Sequence, residues 1–254
     1  MPERYSGYIN TTRKNTAIVF EKAYIPEIPY DFPAGDLQLP SETFPSINGS
    51  SETSPYQAPI NFVEINGSDQ NDYVFGNSNN NLINGLSGND QIYGFDGSDA
   101  LTGNSGSDIL VGGGGNDNLN GGAGNDRLFG GIGADRLIGG AGNDNMVGGE
   151  GADYYDASLG ADSILFNRGD RAKVNRNTRF VIDRSLVKSI DELNVLTNVP
   201  PKLLSKLPSF YNLVQVTSGG LYLRSSNSKK FDLIGVVNGP LNPNIVTVGE
   251  ISNV

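Results

Sequence analysis

Between Gly67 and Leu165 the chain repeats one pattern of hydrophobic and polar positions every nine residues, eleven times and without an insertion. The eighth position of every repeat is hydrophobic: Val74, Ile83, Ile92, Leu101, Leu110, Leu119, Leu128, Leu137, Met146, Tyr155 and Ile164. One such position in nine predicts short strands, such as Arg127-Leu128-Phe129, in which only the middle side chain points inward. The six residues between strands must then turn the chain, and glycine supplies the positive φ that such turns require.

The sixth position is equally regular, since it is aspartate in ten of the eleven repeats, with Asn81 as the exception. Glycine recurs at the first, second and fourth positions. The resulting pattern, G-G-x-G-x-D-x-U-x with U hydrophobic, resembles the RTX (haemolysin-type) calcium-binding nonapeptide and covers 99 of the 254 residues. The resemblance implies an all-β fold, a right-handed parallel β-roll in which two nonapeptides complete one coil.

In such a roll, repeats n and n+2 lie above one another at about the 4.8 Å strand spacing, so the sixth positions form two rails. One rail is Asp72, Asp90, Asp108, Asp126, Asp144 and Asp162, and the other is Asn81, Asp99, Asp117, Asp135 and Asp153. The predicted metal ligands are these ten aspartates together with turn glycines that offer their carbonyls: Gly113, Gly115, Gly122, Gly124, Gly131, Gly133, Gly140, Gly142, Gly149 and Gly151. Oxygen donors without nitrogen or sulfur favour Ca²⁺ over Zn²⁺ or copper, and Mg²⁺ is less suited because it gives up water reluctantly.

The energetics predict that the roll depends on cations. Each coil of two nonapeptides buries two hydrophobic side chains, worth about 1.5–3 kcal/mol each, whereas ordering the backbone costs about 1–2 kcal/mol per residue. Carboxylates stacked about 5 Å apart also repel each other. Repeats three to eleven keep both the fourth-position glycine and the sixth-position aspartate, which predicts about seven strong calcium sites. Gln70, Asn79 and Asn81 weaken the pattern at the N-terminal end.

The composition excludes several kinds of enzyme. The chain has no His, so neither an HExxH zinc site nor a Ser-His-Asp triad can be built. It has no Cys for disulfides or thiolate metal sites. Its net charge of −10 disfavours nucleic acid, whose phosphates attract basic surfaces. Carboxylate-only hydrolysis needs a domain that holds the carboxylates, and neither flank is typical of one, so we expect no enzymatic activity.

The flanks predict two further segments beside the roll at 67–165. Residues 1–66 are rich in Pro and Ser, and we expect a hairpin from RYSGYI and TAIVF, irregular chain from Ile25 to Pro59, and a capping strand at Asn61–Ile65. Residues 166–254 predict a mostly β segment with strands at TRFVID, NLVQV, GLYLRS, FDLIGVV and NIVTV. A short helix is expected near Ser189–Leu196, and the Arg168-Gly169-Asp170 tripeptide is attributed to chance.

Charge separates the C-terminal segment from the repeats. The repeats contain 14 acidic and 2 basic residues, whereas residues 166–254 contain 6 acidic and 12 basic residues. The basic segment is therefore expected to dock on the acidic array. The resemblance also implies that this segment can act as an uncleaved signal for type I secretion. The start MPERYSGYIN lacks the apolar region of a Sec-type signal peptide, and no apolar stretch is long enough to predict a membrane span.

The favoured function is that of a secreted calcium-binding protein with a structural, adhesive or surface-associated role, folding on Ca²⁺ outside the cell. Its partner would be a cell-surface or matrix component, or another copy of the chain. The alternative is a secretion and folding module of an RTX exoprotein whose passenger is reduced or absent, and an enzyme is less favoured. A disordered Gly/Asn/Asp linker would not keep a strict period. An ice-binding roll would need a Thr/Asn ladder at the third positions, which the sequence lacks.

The ninth position predicts two different outer faces. Odd repeats place Phe75, Tyr93, Val111, Phe129, Val147 and Leu165 there, and even repeats place Asn84, Thr102, Asn120, Ile138 and Asp156. Because odd and even repeats form opposite sheets, one face should have a continuous hydrophobic ladder and the other should be mostly polar. Proteins rarely leave such a patch bare, so we expect the N-terminal segment or the C-terminal strands to cover it. The alternative is contact with another copy or a surface partner.

Overall fold

The computed structural model of the chain describes residues 64–76, 78–187, 193–208, 212–224 and 230–249. Over these ranges the fold is all-β, a parallel β-solenoid of about eight turns, as the nonapeptide pattern predicts. The predicted N-terminal hairpin, the irregular chain that follows it and the first three residues of the predicted capping strand lie outside the described residues. The rest of that predicted strand falls in the first strand of the roll.

Short strands account for most of the described chain. Just before the repeats and along them, they are β1 (Glu64–Asn66), β2 (Tyr73–Phe75), β3 (Leu82–Ser87), β4 (Gln91–Asp96), β5 (Ala100–Ser105), β6 (Ile109–Gly114), β7 (Asn118–Ala123), β8 (Arg127–Ile132), β9 (Arg136–Ala141), β10 (Asn145–Glu150), β11 (Tyr154–Asp156) and β12 (Ser163–Phe166). The C-terminal segment adds β13 (Arg171–Lys173), β14 (Arg179–Asp183), β15 (Val195–Val199), β16 (Leu213–Val216), β17 (Gly220–Leu223), β18 (Asp232–Asn238) and β19 (Val246–Gly249). Three short 3₁₀ helices are Arg184–Val187, Pro201–Lys206 and Pro243–Ile245.

Alternate strands form two sheets. An 11-stranded sheet has the order β1-β3-β5-β7-β9-β11-β13-β18-β17-β16-β15, and an 8-stranded sheet has the order β19-β14-β12-β10-β8-β6-β4-β2. Within the repeats neighbouring strands are parallel, and equivalent residues of successive coils lie side by side, as Leu119 beside Leu137 and Leu110 beside Leu128. Two nonapeptides therefore complete one coil, as predicted.

The eighth-position side chains fill the space between the two sheets. All eleven, from Val74 to Ile164, have no exposed surface, and they form one continuous hydrophobic cluster. The cluster begins at Ile65 and extends past the repeats through Phe166 and Phe180. The strict hydrophobic period is therefore explained by a core that is only one side chain wide on each sheet.

The strands are longer and the turns shorter than the sequence pattern predicts. Strands β3 to β10 have six residues each rather than three, so the turns between them have three residues rather than six. In β8 the strand continues past Phe129 through two glycines to Ile132, and its pairing with β10 continues with it. Gly131 adopts a φ of +119°, which bends the strand without ending its hydrogen-bond ladder. The second-position glycine thus belongs to the strand and not to the turn.

The C-terminal segment continues the stack at one end of the roll. Strands β13 and β14 pair in parallel with β11 and β12, and β18 and β19 pair in parallel with β13 and β14. Each of the five predicted strand segments contains a strand of the structure. Residues 189–192 of the expected helix near Ser189–Leu196 lie outside the described residues. The expectation is wrong at its end, because Val195–Val199 is strand β15. Its β-branched side chains and its pairing with β16 favour strand over helix.

The hydrophobic ladder predicted at the ninth positions runs in register along the 8-stranded sheet. At its C-terminal end, Val147 and Leu165 are buried in a cluster with Val181, and Phe129 packs against it. At its N-terminal end the Phe75 ring stacks on the Tyr93 ring, with 5.2 Å between their centroids. The ladder therefore packs side chain on side chain, with Tyr93, Val147 and Leu165 buried and Phe75, Val111 and Phe129 partly buried.

Candidate calcium-binding turns

Positions four to six of each repeat form the turns that join one sheet to the other. The predicted ligand glycines at the second and fourth positions all have positive φ. Gly115 shows why no other residue fits: its φ is +129°, and a Cβ built there would overlap the carbonyl oxygen of Gly97 in the previous coil. The turn carbonyls thus face the same turn of the next coil, with no side chain between them.

The sixth-position aspartates form two rails, one along each row of turns, as predicted. In each rail the main-chain N–H of one aspartate donates to Oδ1 of the aspartate one coil later. Asp108 donates to Asp126 at 2.8 Å, and Asp126 donates to Asp144 at 2.9 Å. The same bond joins all the remaining neighbouring pairs of both rails, from Asp72 to Asp162 and from Asn81 to Asp153. These bonds hold the carboxylates in one orientation, and the ten predicted aspartates are at most 2% exposed.

The second carboxylate oxygen has no such partner along most of the rails. The buried Oδ2 atoms that receive no hydrogen bond are those of Asp90, Asp99, Asp108, Asp117, Asp126, Asp135, Asp153 and Asp162. Seven of them lie against the first-position glycine of their own repeat, as Asp126 lies against Gly121, where any Cβ would overlap the carboxylate. The repeat of Asp162 begins with Ala157 instead. A buried carboxylate oxygen without a donor is unfavourable unless the group is protonated or a cation lies beside it.

Burial is the main cause that raises the pKa of the rail carboxylates above the usual 3.8. The pKa is raised to about 7 for Asp90, Asp99, Asp126 and Asp135, to about 6 for Asp117, Asp153 and Asp162, and in the same direction for Asp108 and Asp144. The hydrogen bonds from main-chain N–H groups oppose this rise. In the four with a pKa of about 7, repulsion from neighbouring aspartates adds to it. The rails are therefore destabilised by their own charge near neutral pH.

The oxygen atoms at each turn suit a calcium ion. Among the described residues no three acidic side chains lie close enough together to hold a metal ion by themselves. A cation at a turn therefore needs main-chain carbonyls beside one or two aspartates. Ca²⁺ accepts such mixed sets of about six to eight oxygens in flexible geometry. The unpaired Oδ2 atoms and the carbonyls at the second and fourth positions fit this requirement, and no nitrogen or sulfur ligand competes.

A second ladder lies at the fifth positions, which the nine-residue consensus leaves unspecified. Side-chain oxygens of Asn or Ser accept a hydrogen bond from the fifth-position N–H one coil later. Asn89 accepts from Ser107 at 2.7 Å, and Asn125 accepts from Asn143 at 2.8 Å. The signal for this ladder is in the sequence, since eight of the eleven fifth positions are Asn or Ser. These bonds satisfy turn N–H groups without any cation.

The rail through Asp153 continues to Asp170, which the sequence pattern did not identify as a site residue. The N–H of Asp153 donates to Asp170 Oδ1 at 3.0 Å, and Asp170 is fully buried. Its Oδ2 accepts from the N–H of Asn167 at 2.6 Å and lies 3.4 Å from the Tyr155 hydroxyl. The spacing of 17 instead of 18 residues hides this position from a strict nonapeptide frame.

The N-terminal end of the other rail is closed in a comparable way, because Asp72 Oδ2 accepts from the N–H of Ser68 at 2.6 Å. The carboxylates of Asp72, at the start of one rail, and of Asp170, at the end of the other, are thus satisfied by the protein itself. The unpaired carboxylate oxygens belong to interior aspartates of the rails and to Asp162, the last aspartate of its rail.

A parallel solenoid with two buried rows of carboxylates, facing glycine turns, defines a repeat protein built to bind cations. Residues 64–92, 75–110, 93–128, 102–136 and 129–164 match the model of the RTX calcium-binding nonapeptide repeat. The repeats therefore belong to the RTX family, and the chain is a calcium-binding repeat protein. No curated protein shows a significant match to it. In the described ranges no helix is long and apolar enough to cross a membrane.

Proposed function

We propose that the turns along both rails hold calcium ions and that the chain is a secreted structural or adhesive protein that folds on calcium outside the cell. The observation that carries the calcium assignment is the set of eight buried, unpaired Oδ2 atoms along the two rails. The chain itself satisfies the carboxylates of Asp72 and Asp170, whereas these eight oxygens are left for a ligand that is not part of the chain.

The proposed ligands are the ten rail aspartates and the ten glycines predicted from the repeat. In each interior turn, aspartates of successive coils supply carboxylate oxygens, and the second- and fourth-position glycines supply carbonyl oxygens. Asp126, between Asp108 and Asp144, would serve two neighbouring turns. Calcium, when bound, supplies the positive charge that lets these carboxylates stay ionised while buried. About seven ions per chain are expected.

Dependence on calcium follows from the charge of the rails. Without a cation the interior aspartates must be protonated or repel one another at neutral pH, and the one-residue-wide core stabilises each coil only modestly. Ligands that bind only the folded state add their binding free energy to its stability. Cytosolic calcium is scarce and extracellular calcium is plentiful, so the chain would stay unfolded for export and fold afterwards. This supports a secreted protein, exported by a type I route.

A structural or adhesive role is favoured over catalysis because the composition lacks His and Cys and the geometry that recurs in every repeat suits ions rather than a substrate. The candidate partners are a cell-surface or matrix component and a second copy of the chain. The alternative role is that of a secretion and folding module, and it is favoured by the way the C-terminal strands extend both sheets of the roll.

Equilibrium dialysis of the purified chain against buffered calcium tests the proposal. About seven bound ions, retained against excess magnesium, are expected, and binding of none or one would overturn the assignment. Quantifying the protein in culture medium and in cells tests secretion separately. Retention of the folded protein in the cytosol would contradict the export proposal while leaving calcium binding intact.

A further inference from the structure

The last turn of the roll on the row that ends at Asp162 is occupied by a side chain of the protein. The Asn175 amide nitrogen lies 3.3 Å from the carbonyl oxygen of Ala157, 3.3 Å from that of Ser158 and 3.1 Å from that of Gly160. Ser158 and Gly160 occupy the second and fourth positions of the final repeat. These are the positions whose carbonyls, in the interior of the roll, face the next coil.

The orientation of this amide is fixed by its other hydrogen bond. Asn175 Oδ1 accepts from the main-chain N–H of Asn177 at 2.7 Å. Turning the amide over would place its oxygen against three carbonyl oxygens and break that bond, so the nitrogen is the atom that faces the turn. One nitrogen shared among three carbonyls is an arrangement that a small cation would also satisfy.

The carboxylate expected in this coil is missing as well. The N–H of Arg179 donates to the carbonyl of Asp162. In the interior of the roll, the residue that follows a rail aspartate makes the same bond to the carbonyl of the rail aspartate one coil before it, as Asn145 does to Asp126. The preceding residue, which takes the place of the next rail aspartate, is Thr178, and it is buried and uncharged. Its hydroxyl accepts from the N–H of Asn175 at 3.1 Å. A cation here would therefore have one rail carboxylate instead of two.

We propose that Asn175 stands in for a calcium ion at this last turn, and that replacing its amide with a carboxylate opens a cation site there. The inference rests on the proposal that the equivalent interior turns hold calcium. The neutral Asn175 amide accompanies the neutral Thr178, which stands where the next rail carboxylate would be. Because that second carboxylate is absent, the N–H donors of Asn175 can replace the positive ion. The array of ions thus ends at a position that the sequence specifies, and this end of the roll is closed without calcium.

The test counts calcium ions bound by the full chain and by two isosteric variants, using equilibrium dialysis with calcium alone. Asn175→Asp should bind one more ion than the wild type, because a carboxylate facing three carbonyls is stable only beside a cation. Asn143→Asp is the matched control: it makes the same change in an exposed turn residue of the previous coil on the same row. It should leave the count unchanged.

An unchanged count in a folded Asn175→Asp protein, or the same gain in both variants, overturns the proposal. A wild type that binds no calcium would refute the proposed function and, with it, the premise of this inference. A wild type that binds calcium beside a folded Asn175→Asp protein with the same count would overturn this inference alone. If Asn175→Asp does not fold, Asn175→Ala removes the donor without adding charge. Hydrogen exchange of residues 157–162 in calcium should then be faster than in the wild type with the calcium count unchanged, and equal exchange overturns the proposal.

Discussion

The most informative single change in the rails is Asp126→Asn. It removes one negative charge and keeps Oδ1, which accepts the hydrogen bond from the N–H of Asp108. Because Asp126 has an aspartate neighbour in the coil on either side, two turns should lose affinity. At a free calcium concentration of about 100 times Kd each ion stabilises the fold by about 2.7 kcal/mol, so losing two ions costs about 5 kcal/mol.

The assays are equilibrium dialysis for the number of ions and urea unfolding at a fixed calcium concentration for stability. Asn81→Ala is the control, since Asn81 is already uncharged and is followed on its rail by Asp99. Asp126→Ala should cost about 1–3 kcal/mol more than Asp126→Asn, because it leaves the buried N–H of Asp108 without an acceptor. If Asn81→Ala lowers the calcium count as much as Asp126→Asn does, the assignment of ligands to the repeat is wrong.

Three further predictions concern the turns, the charge of the rails and the outer face. Gly115→Ala should destabilise the calcium-loaded protein by more than about 1 kcal/mol, because the φ of Gly115 is +129° and a Cβ would overlap the Gly97 carbonyl. Gly114→Ala is the control and should be close to neutral in thermal unfolding, because its Cβ would meet only Asp96 Oδ1, at 3.1 Å. Equal losses of stability in the two variants would contradict this prediction. In chelator, the rail aspartates of the folded protein have raised pKa values of about 6 to 7. Their protonated carboxyl groups therefore contribute to the stability of the fold fully below the unfolded pKa of about 4, and this contribution is lost as the pH rises through 7. Circular dichroism should therefore show more β structure at pH 4.5 than at pH 8, and the opposite trend would refute the role of burial. Phe129→Lys should lower the stability of the calcium-loaded protein by about 1–3 kcal/mol, because Phe129 packs on the cluster of Val147, Leu165 and Val181 and lies under Arg127. Loss of self-association in sedimentation, with stability unchanged, would show instead that the hydrophobic ladder is an interface between copies of the chain.

Much of the roll could be predicted because its period is set by local chemistry. One buried side chain per repeat and one aspartate per turn are visible in the sequence, and stacking by two repeats turns them into a core and two rails. The outer ladder follows from the same register. Strand length could not be predicted in this way, because a glycine with positive φ can either end a strand or bend it, and Gly131 bends it.

The irregular positions depend on tertiary packing that no local pattern specifies. Leu86 and Phe95 adopt φ of +78° at second positions where later repeats have glycine, a conformation that the stacking of neighbouring coils imposes. Asp170 joins a rail after a deletion of one residue, and its place is defined by its bonds to Asp153 and Asn167. Such residues lie where the repeat meets its ends, which is where a consensus gives the least information.

The central claim is that calcium binding to the rails drives folding of the roll, and far-UV circular dichroism of the purified chain tests it most directly. The spectrum should be that of an unfolded chain in EGTA at neutral pH and should become β on addition of millimolar calcium, with magnesium at the same concentration unable to replace it. A β spectrum that is the same in EGTA and in calcium would contradict the claim.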